Sequence, residues 1–203
     1  MKKLQKLFAD TGVVILSGGK SSRMSYPKCF LVANERMLLE ITHTVYSGFS
    51  DSVYVVLNSE LSKGQWQSTF RDLSERMNFI LNEYPERGRG FSVRSGIGTM
   101  THKEFCFLQN VDNPVSRNTI FSLIANKNSE GYTVPVLNEK SGHPILISRR
   151  VMDGILAEES DNFILSDILR QYPRREVQVN DPGIFTNLNT PDDFRKFTTM
   201  VTE

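Results

Sequence analysis

Short β-branched runs alternate with longer segments of helical periodicity along the chain. Residues 12–17 are continuous, apolar and β-branched, which is typical of a strand buried on both faces. Residues 37–49 then carry apolar side chains at helical spacing, and residues 52–57 form a second buried run. Strand–helix alternation of this kind predicts α/β layers around a mostly parallel sheet.

The same pattern continues to the C-terminal end of the sequence. Residues 132–136 and 144–147, separated by a polar turn, favour a pair of strands in which one runs antiparallel. A loop over residues 87–91 opens a helix that reaches residue 100. Further strands are predicted at 78–81, 104–108, 175–179 and 184–188, with helices at 66–77 and 117–127 and two helical stretches within 150–172. Residues 190–193 predict the start of a last helix, since Thr190 can cap it, Pro191 fits its first position and the two aspartates suit its positive end. We expect one three-layer Rossmann-like domain over residues 1–203.

Composition excludes several classes of protein. Apolar residues make up 39% and charged residues 23%, as in soluble globular chains. The net charge of +1 gives no reason to expect a nucleic-acid or anionic-membrane partner. No apolar run approaches the ~18–20 residues of a membrane span, and no signal-peptide core follows the N-terminus. Two cysteines and three scattered histidines oppose a disulfide framework and a zinc cluster, so we expect a cytoplasmic protein.

A polar segment, residues 16–28, follows the first strand at the sheet edge where ligands bind in open α/β folds. Its glycines let backbone N–H groups approach a ligand, its serines add hydroxyl donors, and Arg23 and Lys28 add two positive charges. This combination predicts a triphosphate cradle, whereas the alternative is a glycine turn with solvated basic residues. The candidate nucleotide-binding residues here are Leu16, Ser17, Gly18, Gly19, Ser21 and Ser22.

Two familiar nucleotide-binding patterns do not fit this segment. The glycines are adjacent, which matches neither the P-loop nor the G-x-G-x-x-G dinucleotide fingerprint. The second strand ends at Leu57 and Asn58, where a dehydrogenase would need an acid for the ribose. A Rossmann dehydrogenase is therefore disfavoured.

The segment resembles the opening signature of nucleotidyltransferases, L-x-(A/S)-G-G-x-S-x-R-M-G-x-x-K. It is most similar to the molybdenum cofactor cytidylyltransferases and the related guanylyltransferases. Residues 88–97 resemble the cytidylyl pattern G-M-x-x-S-L-R-x-G-L, residues 111–114 resemble G-D-Q-P, and residues 142–147 resemble G-H-P-V-L-F. Residues 181–183 and 187–193 resemble D-D-P-G and D-I-D-T-P-E-D. The shared order and spacing carry the resemblance along most of the chain.

The sequence departs from the cytidylyl pattern at three places. Ser25 replaces a glycine of the opening signature. Residues 159–165 lack the G-D-x-G-A-R stretch of the cytidylyl group. Asn187 and Asn189 stand where that group often has aspartates, and the guanylyl enzymes have asparagines there. The departures leave the acceptor substrate open.

The resemblance implies a fold of the nucleotide-diphospho-sugar transferase type and an enzyme that depends on Mg²⁺ or Mn²⁺. The implied reaction transfers a nucleoside monophosphate, CMP from CTP, to a small phosphorylated acceptor such as molybdopterin and releases pyrophosphate. A protein that receives the product is an implied partner. The alternatives are a guanylyl or sugar-phosphate nucleotidyltransferase, or a non-catalytic nucleotide-binding regulator of the same fold.

Nucleotidyl transfer depends on positioning and charge neutralisation rather than on a protein nucleophile. Lys28, Arg23 and Asp112 are the candidate catalytic residues. Asp112 and Asn189 are the candidate metal ligands, with Asn187 as the alternative to Asn189 and a turn or helix cap as the alternative role for each. Gly88, Gly90 and Ser92 are assigned to binding of the base. His143 is assigned to the acceptor, with a hydrogen-bonded turn as the alternative.

Overall fold

The computed structural model of the chain describes residues 8–17 and 26–202. The strands are β1 (Thr11–Ser17), β2 (Val32–Ala33), β3 (Arg36–Met37), β4 (Val53–Asn58), β5 (Asn78–Asn82), β6 (Phe105–Asn110), β7 (Tyr132–Leu137), β8 (Lys140–Ser141), β9 (Ile145–Ser148) and β10 (Arg174–Gln178). The helices are α1 (Leu38–Ser47), α2 (Gln67–Ser74), α3 (Gly88–Ile97), α4 (Arg117–Ala125), α5 (Arg149–Leu156), α6 (Leu165–Leu169) and α7 (Pro191–Thr202).

One eight-stranded sheet organises the molecule. Its order is β10-β7-β9-β6-β1-β4-β5, and β8 pairs with β7. Strand β1 runs parallel to both β4 and β6, whereas β9 runs antiparallel to both of its neighbours, β6 and β7. The short segment between β7 and β9 cannot form the helical crossover that a parallel strand requires, so β9 returns antiparallel to β7. The predicted mostly parallel mixed sheet is confirmed.

Helices cover both faces of this sheet. Along β1, Val13 and Ile15 belong to the core on the side of α1, α2 and α4. Val14 and Leu16 belong to the core on the side of α3, α5 and α6. The alternation arises because successive side chains of a strand point to opposite faces. The two cores give the three-layer arrangement expected from the sequence.

A predicted strand and a predicted loop were wrong. Residues 184–188 do not form a strand, because Pro182–Phe185 is a 3₁₀ helix whose start is capped by the Asp181 side chain. Helix α3 begins at Gly88, inside the segment that was expected to be a loop. A Cβ on Gly90 would lie 2.6 Å from the backbone oxygen of Asp161, so close packing requires glycine there in spite of its low helix propensity.

The carboxyl ends of the central parallel strands lie at one edge of the sheet. Leu16 near the end of β1 pairs with Asn110 at the end of β6, and Leu108 of β6 pairs with Ile145 at the start of β9. The end of β1, the residues after β6 and those before β9 therefore meet at this edge. Within the described residues, no helix is long and apolar enough to cross a membrane.

Candidate active site

Three side chains from distant parts of the sequence meet at the carboxyl edge. Lys28 begins the 3₁₀ helix Lys28–Phe30, Asp112 follows β6, and Asn189 precedes α7. Nζ of Lys28 donates to Oδ2 of Asp112 at 2.8 Å and to Oδ1 of Asn189 at 2.7 Å. The Lys28 and Asp112 side chains are 16% and 19% exposed, so the ion pair is largely shielded yet still reachable by a ligand. The fold thus brings together three residues that the sequence assigned to one site.

A helix cap holds Asn189 in place. Oδ2 of Asp193 accepts hydrogen bonds from the backbone N–H groups of Asn189 and Thr190, at 3.2 and 2.9 Å. The Thr190 hydroxyl accepts the backbone N–H of Asp193 in return at 3.1 Å. The N–H of the buried Leu188 also donates to the backbone oxygen of Asp112 at 3.3 Å. This reciprocal cap, which the residues 190–193 predicted, sets Asn189 opposite Asp112.

Asn187, the alternative metal ligand, faces a different partner. Its Oδ1 lies 3.2 Å from Nδ2 of Asn113, which is fully buried and also donates to the backbone oxygen of Thr186. Oδ1 of Asn113 in turn accepts from Nδ2 of Asn110 at 2.6 Å. Asn187 therefore contributes to a buried amide network beside the site. Sequence reasoning missed this network, although Asn110 is the last residue of β6 and Asn113 lies in the loop that follows.

Arg89 and His143 complete the polar surroundings of Asp112. Nη2 of Arg89 donates to Oδ1 of Asn110 at 2.7 Å. Burial lowers the pKa of His143, the positive charge of Arg89 lowers it further, and Asp112 opposes both effects. His143 is therefore neutral at neutral pH, and its buried Nδ1 has no hydrogen-bond partner among the described residues. Its backbone N–H donates to the oxygen of Ile184, which anchors the turn before β9.

The three residues assigned to the base lie in or near α3. Gly88 adopts a φ of +84°, a conformation that favours glycine. Gly90 packs against the backbone of Asp161 and Phe163. The hydroxyl of Ser92 is buried and accepts a hydrogen bond from Nδ2 of Asn82, at the end of β5, at 3.0 Å. These contacts position the start of α3 at the carboxyl edge.

The segment that departs from the cytidylyl pattern is attached to α3. Nη1 of Arg94 donates to the backbone oxygen of Glu158 at 2.8 Å, and Nη2 lies 2.8 Å from the carboxylate of Asp161. Arg87 lies 3.1 Å from the other oxygen of the same carboxylate. The two arginines therefore fasten this segment beside the start of α3.

The remaining assignments divide between strand β1 and the polar segment that follows it. Leu16 and Ser17 close β1, and the Ser17 hydroxyl is buried without a hydrogen-bond partner among the described residues. Gly18, Gly19, Ser21, Ser22 and Arg23 lie outside the described residues.

The pair of oxygens around Lys28 suits a divalent cation. Asp112 Oδ2 and Asn189 Oδ1 both lie within 2.8 Å of one ammonium nitrogen, so one anionic and one neutral oxygen already converge on a positive charge. Magnesium and manganese prefer such oxygen ligands and retain water or substrate phosphate at their other positions. Among the described residues, no cluster of three or more His, Cys, Asp or Glu side chains offers a denser metal site.

A family model described as a MobA-like NTP transferase domain matches residues 13–177. The chain is 24% identical over 184 residues to a molybdenum cofactor cytidylyltransferase of Escherichia coli K12, covering 89% of this chain and 92% of that protein. It is 28% identical over 195 residues to a probable molybdenum cofactor guanylyltransferase of Bacillus velezensis, covering 90% and 92%.

A solved structure shares the fold. Rv0371c from Mycobacterium tuberculosis H37Rv, in complex with manganese, superposes with a TM-score of 0.68 at 21% identity, over 93% of this chain and 97% of that one. The relatives by sequence include both cytidylyl and guanylyl enzymes, so the likeness does not distinguish the two bases.

Proposed function

This chain belongs to the MobA-like NTP transferase family, and from that membership we propose that it transfers CMP from CTP to the phosphate of a molybdopterin-type acceptor. The convergence of Lys28, Asp112 and Asn189 at the carboxyl edge carries the proposal, because nucleotidyl transfer needs positive charge and metal-binding oxygens at one point. The acceptor class is supported by relatives that match most of this chain and are named as molybdenum cofactor nucleotidyltransferases.

The reaction joins two phosphates. An oxygen of the acceptor phosphate attacks the α-phosphorus of the triphosphate, and a new P–O bond forms. The bond from the α-phosphorus to the oxygen that bridges it to the β-phosphorus breaks, and pyrophosphate departs with the bonding electron pair. Lys28 neutralises the negative charge that accumulates on the phosphate oxygens.

Two residues near the site fit this chemistry without forming a covalent intermediate. Burial raises the pKa of the Cys29 thiol to about 11, so it stays protonated and non-nucleophilic beside Lys28. Neutral His143 can accept or donate a hydrogen bond to the acceptor without adding a charge. In this proposal both substrates react directly with one another.

Asp112 and Asn189 would hold Mg²⁺, or Mn²⁺ in its place. When bound, the metal supplies charge neutralisation at the phosphates. The manganese complex of Rv0371c supports a divalent ion in this fold.

Two observations bear on the base. Residues 88–97, which we assign to the base, resemble the cytidylyl pattern, and this favours CTP. Asn187 and Asn189 match the guanylyl enzymes, which makes a guanylyltransferase the second candidate. We give more weight to residues 88–97, because the two asparagines contact other residues of the site rather than the segment assigned to the base. Asn189 contacts Lys28, and Asn187 contacts Asn113.

Pyrophosphate release from a panel of nucleoside triphosphates tests the proposal. The panel is run with Mg²⁺ and no acceptor, with molybdopterin, or with a set of sugar phosphates. Release that requires both CTP and molybdopterin is the expected result. Release only with a sugar phosphate would reassign the acceptor. Tight CTP binding with no release for any acceptor would point to a non-catalytic regulator.

A further inference from the structure

Arg89 is a positive charge at the carboxyl edge that the fold orients by a chain of amides. It is the second residue of α3, and its Nη2 donates to Oδ1 of Asn110 at 2.7 Å. Asn110 has its own amide group turned toward Asn113, which leaves its oxygen facing Arg89. Asn113 is oriented by the backbone oxygen of Thr186. Buried amides thus hold one edge of the guanidinium in a single direction.

Most of the Arg89 guanidinium remains available to a ligand. The residue is exposed to solvent, and within the described part of the chain its guanidinium makes one hydrogen bond and no ion pair. A guanidinium carries five N–H donors in a planar fork, so several donors are left over. Partial burial of the guanidinium lowers the pKa of Arg89, and the nearby carboxylate of Asp112 opposes that shift. Arg89 therefore lies near Asp112 with donors left for a ligand.

The position of Arg89 relative to the strands indicates which substrate it meets. The polar segment after β1, with Lys28 at its end, is the proposed cradle of the triphosphate. Strand β6 and then β9 follow β1 in the sheet, so Asn110 and His143 lie progressively farther from the end of β1. Arg89 contacts Asn110, and its charge acts on His143. Arg89 therefore reaches from the start of α3 toward β6 and β9, away from the end of β1.

The geometry points to Arg89 as a further binding residue for the acceptor, whose phosphate it holds next to Asp112 through a two-pronged hydrogen bond. This inference rests on the proposed function, since it assigns the phosphate to the acceptor of that reaction. Arg89 stands where the cytidylyl pattern has methionine, so this contact is a property of this chain rather than of the pattern. A structural role in tethering α3 to β6 is the competing explanation.

Steady-state kinetics with molybdopterin and CTP separate the two explanations. Arg89→Met keeps length and helix propensity but removes the fork, and Arg89→Lys keeps the charge. We expect the KM for molybdopterin to rise at least tenfold in Arg89→Met and less in Arg89→Lys, while the KM for CTP changes less than twofold. Arg150→Met on the outer surface of α5 is the matched control and leaves both values unchanged. An unchanged KM for molybdopterin, or an equal rise in both KM values, overturns the inference.

A binding measurement decides the case independently of turnover. The wild type and both variants are saturated with α,β-methylene-CTP and Mg²⁺, and inorganic phosphate is titrated as the stand-in for the acceptor phosphate, followed by ³¹P NMR. At least tenfold weaker phosphate binding in Arg89→Met supports the inference. Equal affinities, including no detectable binding by any of the proteins, overturn it.

If wild-type enzyme binds phosphate but transfers nothing to molybdopterin, the proposed function fails while the Arg89 site stands. Arg89→Lys supplies the same comparison if Arg89→Met does not fold.

Discussion

The Lys28 ammonium lies 2.8 Å from the carboxylate of Asp112, although 84 positions separate them in the sequence. The same nitrogen lies 2.7 Å from the amide oxygen of Asn189. A divalent cation and the ammonium would therefore use the same two oxygens. Lys28 and the metal cannot both occupy that place, which makes their relation directly testable.

Removing the charge of Asp112 should abolish most turnover. Asp112→Asn keeps the shape of the side chain but removes a carboxylate that contacts Lys28, so both metal binding and the placement of Lys28 suffer. We expect kcat to fall by roughly 10²-fold or more at saturating Mg²⁺. Asp153→Asn, at an exposed position of α5, is the matched control. A folded Asp112→Asn enzyme with near-wild-type kcat would remove Asp112 from the site.

Lys28→Ala should affect catalysis and metal binding in opposite directions. Loss of one well-placed charge at the phosphates costs about 3–4 kcal/mol of barrier, or roughly 10²–10³ in kcat/KM. In the absence of nucleotide, Mn²⁺ should bind more tightly, by roughly tenfold or ~1.4 kcal/mol, because the ammonium no longer occupies the two oxygens. Electron paramagnetic resonance counts free Mn²⁺ directly. Lys63→Ala, on an exposed turn, serves as the control. Unchanged kcat/KM would make Lys28 a surface charge.

Substitution of Asn189 should affect turnover and Mn²⁺ binding, whereas substitution of Asn187 should affect stability. Asn189→Ala removes an oxygen that faces Lys28, so we expect slower turnover and weaker Mn²⁺ binding with little change in Tm. Asn187→Ala removes a partner of the buried Asn113, so we expect a lower Tm, from a loss of about 1 kcal/mol, with Mn²⁺ affinity retained. The pair serves as its own control. The reverse pattern would transfer the metal ligand to Asn187.

Asp181 should stabilise the fold when its carboxylate is ionised, and this stabilisation should be lost at acidic pH. Burial alone would raise its pKa, but hydrogen bonds from Thr119, Ser116 and Gly183 outweigh burial and lower it. A carboxylate whose pKa is lowered in the folded state stabilises fully above its unfolded pKa of about 3.9, and the effect is lost as pH falls through the folded pKa. We expect Asp181→Asn to cost about 1–2 kcal/mol at pH 7, since the group is half-exposed, and progressively less below pH ~4. Urea unfolding between pH 3 and 7 measures both, and a pH-independent difference would contradict the assignment.

CTP should be preferred over GTP. A pocket formed for a pyrimidine excludes a purine by size and by leaving buried polar groups unpaired, and the second effect discriminates more strongly. Competition between labelled CTP and GTP at saturating Mg²⁺ measures the preference. Tighter binding of GTP would make the protein a guanylyltransferase and leave the assignments of Lys28 and Asp112 intact.

The sequence by itself determined the fold class and the core of the candidate site. Period-two and period-3.6 patterns are local, so the alternating strands and helices could be predicted, together with the cap that holds Asn189. Parallel strands place their carboxyl ends at one edge, which is why Lys28 after β1 and Asp112 after β6 could be assigned to one place before their contact was known. Asn189 follows a 3₁₀ turn rather than a strand, and its assignment rested on the resemblance of residues 187–193 to the family pattern.

Tertiary structure alone decided the features that depend on contacts between distant segments. Within helix α3, Gly90 lies against the backbone of Asp161, and no local pattern reveals that neighbour. The predicted strand at 184–188 is absent because Asp181 caps a 3₁₀ turn that begins at Pro182. The orientation of Arg89 depends on Asn110, 21 positions away. Hydrogen-bond direction and close packing are properties of the assembled chain, so they follow from the sequence only once the sheet has brought these residues together.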